Sequence, residues 1–284
     1  MNGATHIDMT KVLAEAIGWK GDVNLLARNA SFPDDARVIT IEGYGAHLFG
    51  KNIASFTHFC RPVLGTEGVR FEGYGYKIDR SVPHFDLSNR KVVPAPKEWG
   101  FPIAQDESLL LDEPLAKLIA TLTDPATKGC IEADELTYPT AANMAAWASK
   151  AAEKLRGGGQ LSQKAIDTLA GWIMHFVEDC CVPHHAEGLC LKGHQGYEGD
   201  LEERWREMRG NGEAQKLVDR VKPDSEKVQR MPRSICEGNA LGSQCSPGML
   251  GWYRWFWRRG WHRLIDQSIG RACRTGIEAL RQLA

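Results

Sequence analysis

The residues with the most chemical meaning lie in one stretch, Gly171-Trp-Ile-Met-His175-Phe-Val-Glu-Asp179-Cys-Cys-Val-Pro183-His184-His185. His175 and Asp179 are four positions apart, so on a helix both side chains leave the same face one turn apart and can reach a single cation. Pro183 is expected to end that helix and turn the chain, so that His184 or His185 faces the same cavity. Nine residues after His185 comes a second pair, His194 and Glu198, again four apart, opening a charged helical stretch with Asp200, Glu202, Glu203 and Arg204. Two such pairs with a further His between them predict a cluster for zinc or another transition metal. Taken singly, such residues have ordinary explanations. A lone His such as His47 or His84 is usually a core residue hydrogen-bonded through one nitrogen, and Glu198 in an acidic run is by default part of a solvated helix face. The coincidence of His175, Asp179, His185, His194 and Glu198 is what favours ligation.

These residues need helices to hold them, and the helical signals are the long ones. Met9, Val12, Leu13, Ala16 and Ile17 recur at spacings of three and four and predict an amphipathic helix over 8–17 that stops at Gly18. An Ala-rich helix is expected from Thr140 to Leu155, ending at Gly157-Gly158-Gly159. Ser162 then caps a helix with Ile166, Leu169, Ala170, Trp172, Ile173 and Phe176 at core spacing, until Pro183 breaks it. A last helix is expected from about Met249 to Leu283. Residues 60–115 are rich in Gly, Pro and aromatics and lack alternation, which reads as long loop with a small hairpin. With no repeat, low-complexity tract or clear linker, one mainly α domain over 1–284 is the simplest account.

Composition sets bounds on function. The chain has 284 residues, 43% of them hydrophobic and 25% charged, with 35 basic against 36 acidic residues and a net charge of -1. That is an ordinary globular composition with no global field to recruit nucleic acid or anionic lipid, so any phosphate affinity must be local. No apolar run approaches the roughly 20 residues of a bilayer span, and Met1-Asn-Gly-Ala-Thr-His6 shows no basic region followed by an apolar stretch, so the given chain reads without a secretory signal. Its eight cysteines (Cys60, Cys130, Cys180, Cys181, Cys190, Cys236, Cys245 and Cys273) form an even set without CxxC spacing. Cys236 and Cys245 are the pair most easily joined across a loop; buried free thiols are the equal alternative.

With these residues in view, the chain resembles the zinc-dependent phospholipases C and the related fungal and plant single-strand nucleases, which share one all-α fold and a trinuclear zinc centre. His175-x-x-x-Asp179-x-x-x-Pro183-x-His185 is similar to that family's central motif, with the same spacing of three ligands. Gly193-His194-Gln-Gly-Tyr197-Glu198 resembles the phospholipase branch, whose final pair is His and Glu, where the nucleases usually have His and Asp. Upstream, Ala30-Ser31-Phe32-Pro33-Asp34-Asp35 resembles the early Asp segment, Phe56-Thr57-His58-Phe59 the following His segment, and Thr5-His6 the N-terminal His. The resemblance spans residues 1 to about 205, in order.

The resemblance implies one zinc held by Asp34, His58, His175 and Asp179, a second by Asp179, His6 and the N-terminal residue, and a third by His185, His194 and Glu198. Asp34 is chosen over Asp35 by alignment of a short segment, and His185 over His184 because it keeps the spacing after Pro183. Family members generally begin with a Trp whose amino nitrogen and carbonyl oxygen ligate zinc. Here Met1 stands five residues before His6, so either Met1 takes that role, or the native terminus differs, or the second zinc is weakly held. The resemblance further implies phosphate ester hydrolysis by a metal-activated water, with Asp34 positioning the water or acting as general base.

Substrate choice is read from aromatic residues. Phe56, Phe59, Tyr74 and Tyr76 near His58 are candidates for a quaternary-ammonium head group, or else loop packing. Trp252-Tyr-Arg-Trp255-Phe-Trp257-Arg-Arg-Gly-Trp261 suits a bilayer interface; a buried C-terminal helix with Arg at its rim is the commoner arrangement. The expectation is a monomeric phospholipase C, secreted or periplasmic by resemblance with a cytoplasmic location as the alternative, making transient contact with a membrane surface. The alternatives are a nuclease or broad phosphodiesterase on the same site, with nucleic acid as partner, and a metal-binding relative without hydrolysis.

Overall fold

The computed structural model describes residues 1–34, 85–86, 91–92, 114, 117, 141–187, 193–225, 227–243 and 258–283. Among the described residues the protein is mostly helical, with a two-residue antiparallel pairing of Phe85–Asp86 with Lys91–Val92 inside the stretch read as loop with a small hairpin.

The first helix, α1 (Gly3–Ile17), begins earlier than the apolar pattern suggests, because Asn2 Oδ1 accepts the Thr5 N–H at 3.0 Å and caps it. That extra turn puts His6 on the helix's buried face with Met9, Val12 and Leu13. Helix α2 (Val23–Ser31), capped by Asp22, runs into a 3₁₀ turn over Phe32–Asp34. Helices α3 (Ala141–Gly157) and α4 (Gln163–Asp179) follow, α4 capped by Ser162 Oγ accepting from Ala165 N at 3.1 Å. The chain continues with α5 (Pro183–Glu187), α6 (His194–Gly210), α7 (Glu213–Ser225), α8 (Pro232–Ser243) and α9 (Arg258–Leu283).

Helix α4 is the axis of the core. Every residue from Asp167 to Asp179 is buried, and α1, α2, α3, α8 and α9 all pack on it. A stretch buried on every side must be surrounded by other elements to exist in water, and its polar residues must find partners there. The approach of α2 depends on Gly171: a Cβ there would stand 2.6 Å from Asn29 Cβ and strike the Leu26 carbonyl oxygen. The contact matters beyond packing, since it brings the Ala30 carbonyl to His175, one turn further along α4. Gly171→Ala is therefore expected to force the helices apart and lower stability by about 2 kcal/mol, a loss of roughly 5 °C in Tm. An unchanged melting temperature would contradict so close an approach.

The expectation that Pro183 breaks the helix is corrected. Helix α4 ends at Asp179, where Cys181 N and Val182 N fold back onto the carbonyls of Glu178 and Asp179 at 3.0 and 2.9 Å. Pro183 instead opens α5, a first-turn position where its missing N–H costs nothing. The last helix is described from Arg258, and residues 249–257 lie outside the described residues. Cys180, Cys181, Cys236 and Cys273 are buried, and burial pushes the Cys181 and Cys273 thiols up, away from reactivity. Cys245, the expected partner of Cys236, lies outside the described residues. No described helix is long and apolar enough to cross a membrane.

Candidate metal centre

Two groups of potential ligands meet at the end of α4. His6, His175 and Asp179 form the first and are fully buried; His185, His194 and Glu198 form the second at its more open side. Within each group the ligand atoms lie within 4.8 Å of one another. Asp179 joins the groups, with Oδ2 at 3.1 Å from His175 Nε2 and Oδ1 at 3.2 Å from His6 Nε2 and 3.3 Å from His185 Nδ1. The Met1 amino nitrogen spans them, 2.7 Å from Asp179 Oδ1 and 3.0 Å from Glu198 Oε1.

Local structure accounts for each position. His175 and Asp179 share a face of α4 one turn apart, as their spacing predicts. The short turn after Asp179 and the start of α5 carry His185 back over that carboxylate. Gly193, in the left-handed region at φ 78°, opens α6, whose first turn holds His194 and Glu198 with Nε2 and Oε1 3.1 Å apart. His184 packs behind this group: its ring stacks on His194 with centroids 5.6 Å apart and lies 5.3 Å from that of Tyr197 and 6.3 Å from that of Trp261. Of the two histidines after Pro183, His185 is the one within 3.4 Å of the Asp179 and Glu198 carboxylates.

The donor set fits a cation. His175 Nδ1 lies 2.7 Å from the Ala30 carbonyl oxygen, which can only accept, so Nδ1 carries the proton and donates it there. Burial, partly opposed by Asp179, lowers the His175 pKa to about 4, so the ring is neutral at neutral pH. Its Nε2 therefore faces Asp179 Oδ2 at 3.1 Å, so the imidazole nitrogen and the carboxylate are placed to share a cation. In the second group His185 Nε2 and His194 Nε2 approach to 2.6 Å while Glu198 Oε1 lies 3.4 and 3.1 Å from them, so three ligand atoms converge on one point. His6 Nε2, fully buried, stands beside Asp179 without a hydrogen-bonding geometry.

Charge balance points the same way. Burial lowers the Met1 amino group's affinity for its proton, yet Asp179, Glu198 and Asp34 outweigh this and hold its pKa up at about 11. His6 is likewise pulled down by burial and by that ammonium, but Asp179 and Glu178 raise it to about 10. Burial would push Glu198 up, and the ammonium with His185 and His194 holds it far below the usual carboxylate range. So concentrated a buried carboxylate set is costly without positive charge at its centre, which is also the position for metal ions.

The remaining candidates divide. Asp34, at the end of the 3₁₀ turn, stands near enough to Met1 and His175 to raise the pKa of both, so it faces the site. Asp35, His58, Phe56, Phe59, Tyr74 and Tyr76 lie outside the described residues. Trp261 is 3% exposed, donates from Nε1 to Asp200 Oδ2 at 2.6 Å and packs edge-on to Tyr197, so within the aromatic segment this residue belongs to the interior and not to a membrane face. Trp252, Trp255 and Trp257 are outside the described residues.

Sequence reasoning missed Glu178 and Thr10. Glu178 Oε2 lies 2.6 Å from His6 Nδ1 and its Oε1 accepts the Thr10 hydroxyl at 3.0 Å. The available signal was that Glu178 continues the buried row Gly171, Met174, His175 on α4, where a carboxylate needs a partner.

Glu198 serves His185, His194 and Met1 through one oxygen, so its replacement separates ligation from packing. Glu198→Ala is expected to weaken metal binding at the second group by about 100-fold or more, and Glu198→Asp by about tenfold, read as metal stoichiometry after dialysis. Equal losses would make Glu198 a structural residue. No family model, curated protein or solved structure matches the chain.

Proposed function

We propose that this protein is a zinc-dependent phosphoric ester hydrolase with a phospholipase C/single-strand nuclease-like fold, and that it cleaves glycerophospholipids to diacylglycerol and a phosphorylated head group. The observation that carries the reading is the pair of three-ligand groups joined by one buried carboxylate, Asp179. Imidazole-rich sets with carboxylates suit zinc better than calcium or magnesium, which prefer oxygen ligands. In this reading His175, Asp179 and Asp34, with His58, hold one ion; His6, Asp179 and Met1 a second; and His185, His194 and Glu198 a third. Bound zinc supplies Lewis acidity for the phosphate oxygens and acidifies water near neutral pH.

The chain's own groups do the rest. Asp179 keeps the ligand groups together, and its burial keeps bulk water from screening the site. The Ala30 carbonyl holds His175 in the tautomer that turns Nε2 toward Asp179 Oδ2. Asp34 faces the site as the carboxylate that accepts the proton of the attacking water. Glu198 in the final His and Glu pair favours the phospholipase branch over the nucleases.

The test is release of phosphocholine and diacylglycerol from phosphatidylcholine vesicles by the purified chain, with chelator and zinc add-back, beside single-stranded DNA. Chelator-sensitive lipid cleavage supports the proposal. DNA cleavage without lipid cleavage transfers the site to the nuclease reading, and failure of both with zinc bound leaves a metal-binding protein without this hydrolysis.

A further inference from the structure

We infer that Glu178 is the positioning residue of the His6 side of the centre, fixing the His6 ring so that Nε2, not Nδ1, is offered to the metal. The inference rests on the metal-centre reading above. Glu178 neighbours Asp179 in sequence and lies about 100° from it around α4, so both carboxylates reach the His6 ring, and it is fully buried. Its two oxygens are each engaged by α1: Oε2 with His6 Nδ1 at 2.6 Å, Oε1 with the Thr10 hydroxyl at 3.0 Å. His6 and Thr10 lie one turn apart on α1, so the carboxylate clamps two side chains of the same helical face.

The clamp decides an orientation that the rest of the site leaves open. An imidazole can ligate through either nitrogen, and the one chosen is set by what the other one holds. With Nδ1–H donating to Glu178 Oε2, Nε2 is the nitrogen turned toward Asp179 Oδ1, at 3.2 Å. The His6 ring also stacks obliquely on His175, with centroids 4.2 Å apart, so a turned ring would displace the neighbouring ligand too. His175 is fixed in the same way, but by the Ala30 backbone carbonyl. The two histidines flanking Asp179 thus both present Nε2, one held by a side chain and one by a backbone. Only the side-chain hold can be altered by mutation without moving a helix.

The experiment uses the full chain with zinc. Zinc affinity and stoichiometry are measured by calorimetry for wild type, Glu178→Gln, Glu178→Ala and Thr10→Val, and ¹⁵N-histidine spectra of the zinc-loaded proteins report which His6 nitrogen carries hydrogen. Glu178→Gln retains an oxygen acceptor and the volume, so it is expected to keep Nδ1–H and lose about tenfold in affinity for one ion. Glu178→Ala is expected to lose about 100-fold for that ion, with the His6 Nδ1–H resonance lost. Thr10→Val is expected to stay within a few-fold of wild type. Wild-type affinity and an unchanged His6 spectrum in Glu178→Ala would overturn the inference, leaving Glu178 as a packing contact. If Glu178→Ala does not fold, a Glu178→Gln variant with wild-type affinity and spectrum overturns it equally. Failure of the wild-type chain to bind zinc would instead overturn the metal-centre reading itself, and this inference with it.

Discussion

Asp179→Asn is expected to abolish more of the proposed phosphate ester hydrolysis than any other single isosteric change, by about a thousandfold or more. The substitution keeps volume and shape but replaces a carboxylate that faces His6, His175, His185 and the Met1 amino group at distances between 2.7 and 3.3 Å. A neutral amide loses the charge that draws cations to both groups, and its nitrogen turns a donor toward one of the ligand positions. Losing even one correctly placed ion removes several kcal/mol of transition-state stabilisation, which is the basis of the thousandfold figure. Metal analysis should show fewer ions per chain alongside the activity loss. Full occupancy in the variant would refute the bridging role of Asp179.

Removal of the proposed metal is expected to be the second large effect. A cation that binds only the folded chain, present at a thousand times its Kd, adds about 4 kcal/mol to stability, and for a chain of this size that is roughly 8 °C in Tm. Calorimetric scans of chelated and zinc-restored protein should show this difference, and magnesium at the same concentration should not reproduce it. Coincident transitions with and without zinc would remove the metal centre from consideration.

Those two expectations rest on residues that could be read directly from the chain, because His175, Asp179, His194 and Glu198 depend only on helical spacing. Asp179 as the hub was different, since it required α1 and α5 to converge on the end of α4, and no local pattern encodes that convergence. Pro183 was misread because a proline after a helical run signals equally the end of one helix and the first residue of the next. Helix α2 carries little apolar signal; it docks through Leu26, Ala27, Asn29 and Ala30 against Gly171, a fit by smallness and not by hydrophobic mass. Helices α7 and α8 hide behind Pro223 and behind Gly238 and Gly242, residues that usually mark breaks. Glu178 was legible as a carboxylate in the buried row of α4 but its partners were not, because they lie on a helix far away in the chain.

That distance has a consequence for assembly. His6 and Glu178 are separated by 172 positions, whereas His194 and Glu198 share a single turn of α6. Closing a loop of the first kind carries an entropic penalty of about 5 kcal/mol, which must be offset by core contacts before the histidine arrives; the second kind forms with its own helix in microseconds. One half of the ligand set is therefore available to a nascent chain early, and the other completes only as the first helix docks. A chain halted part-way through folding would display a finished pair of ligands beside an unfinished one, so correct metal loading itself marks the arrival of the native topology.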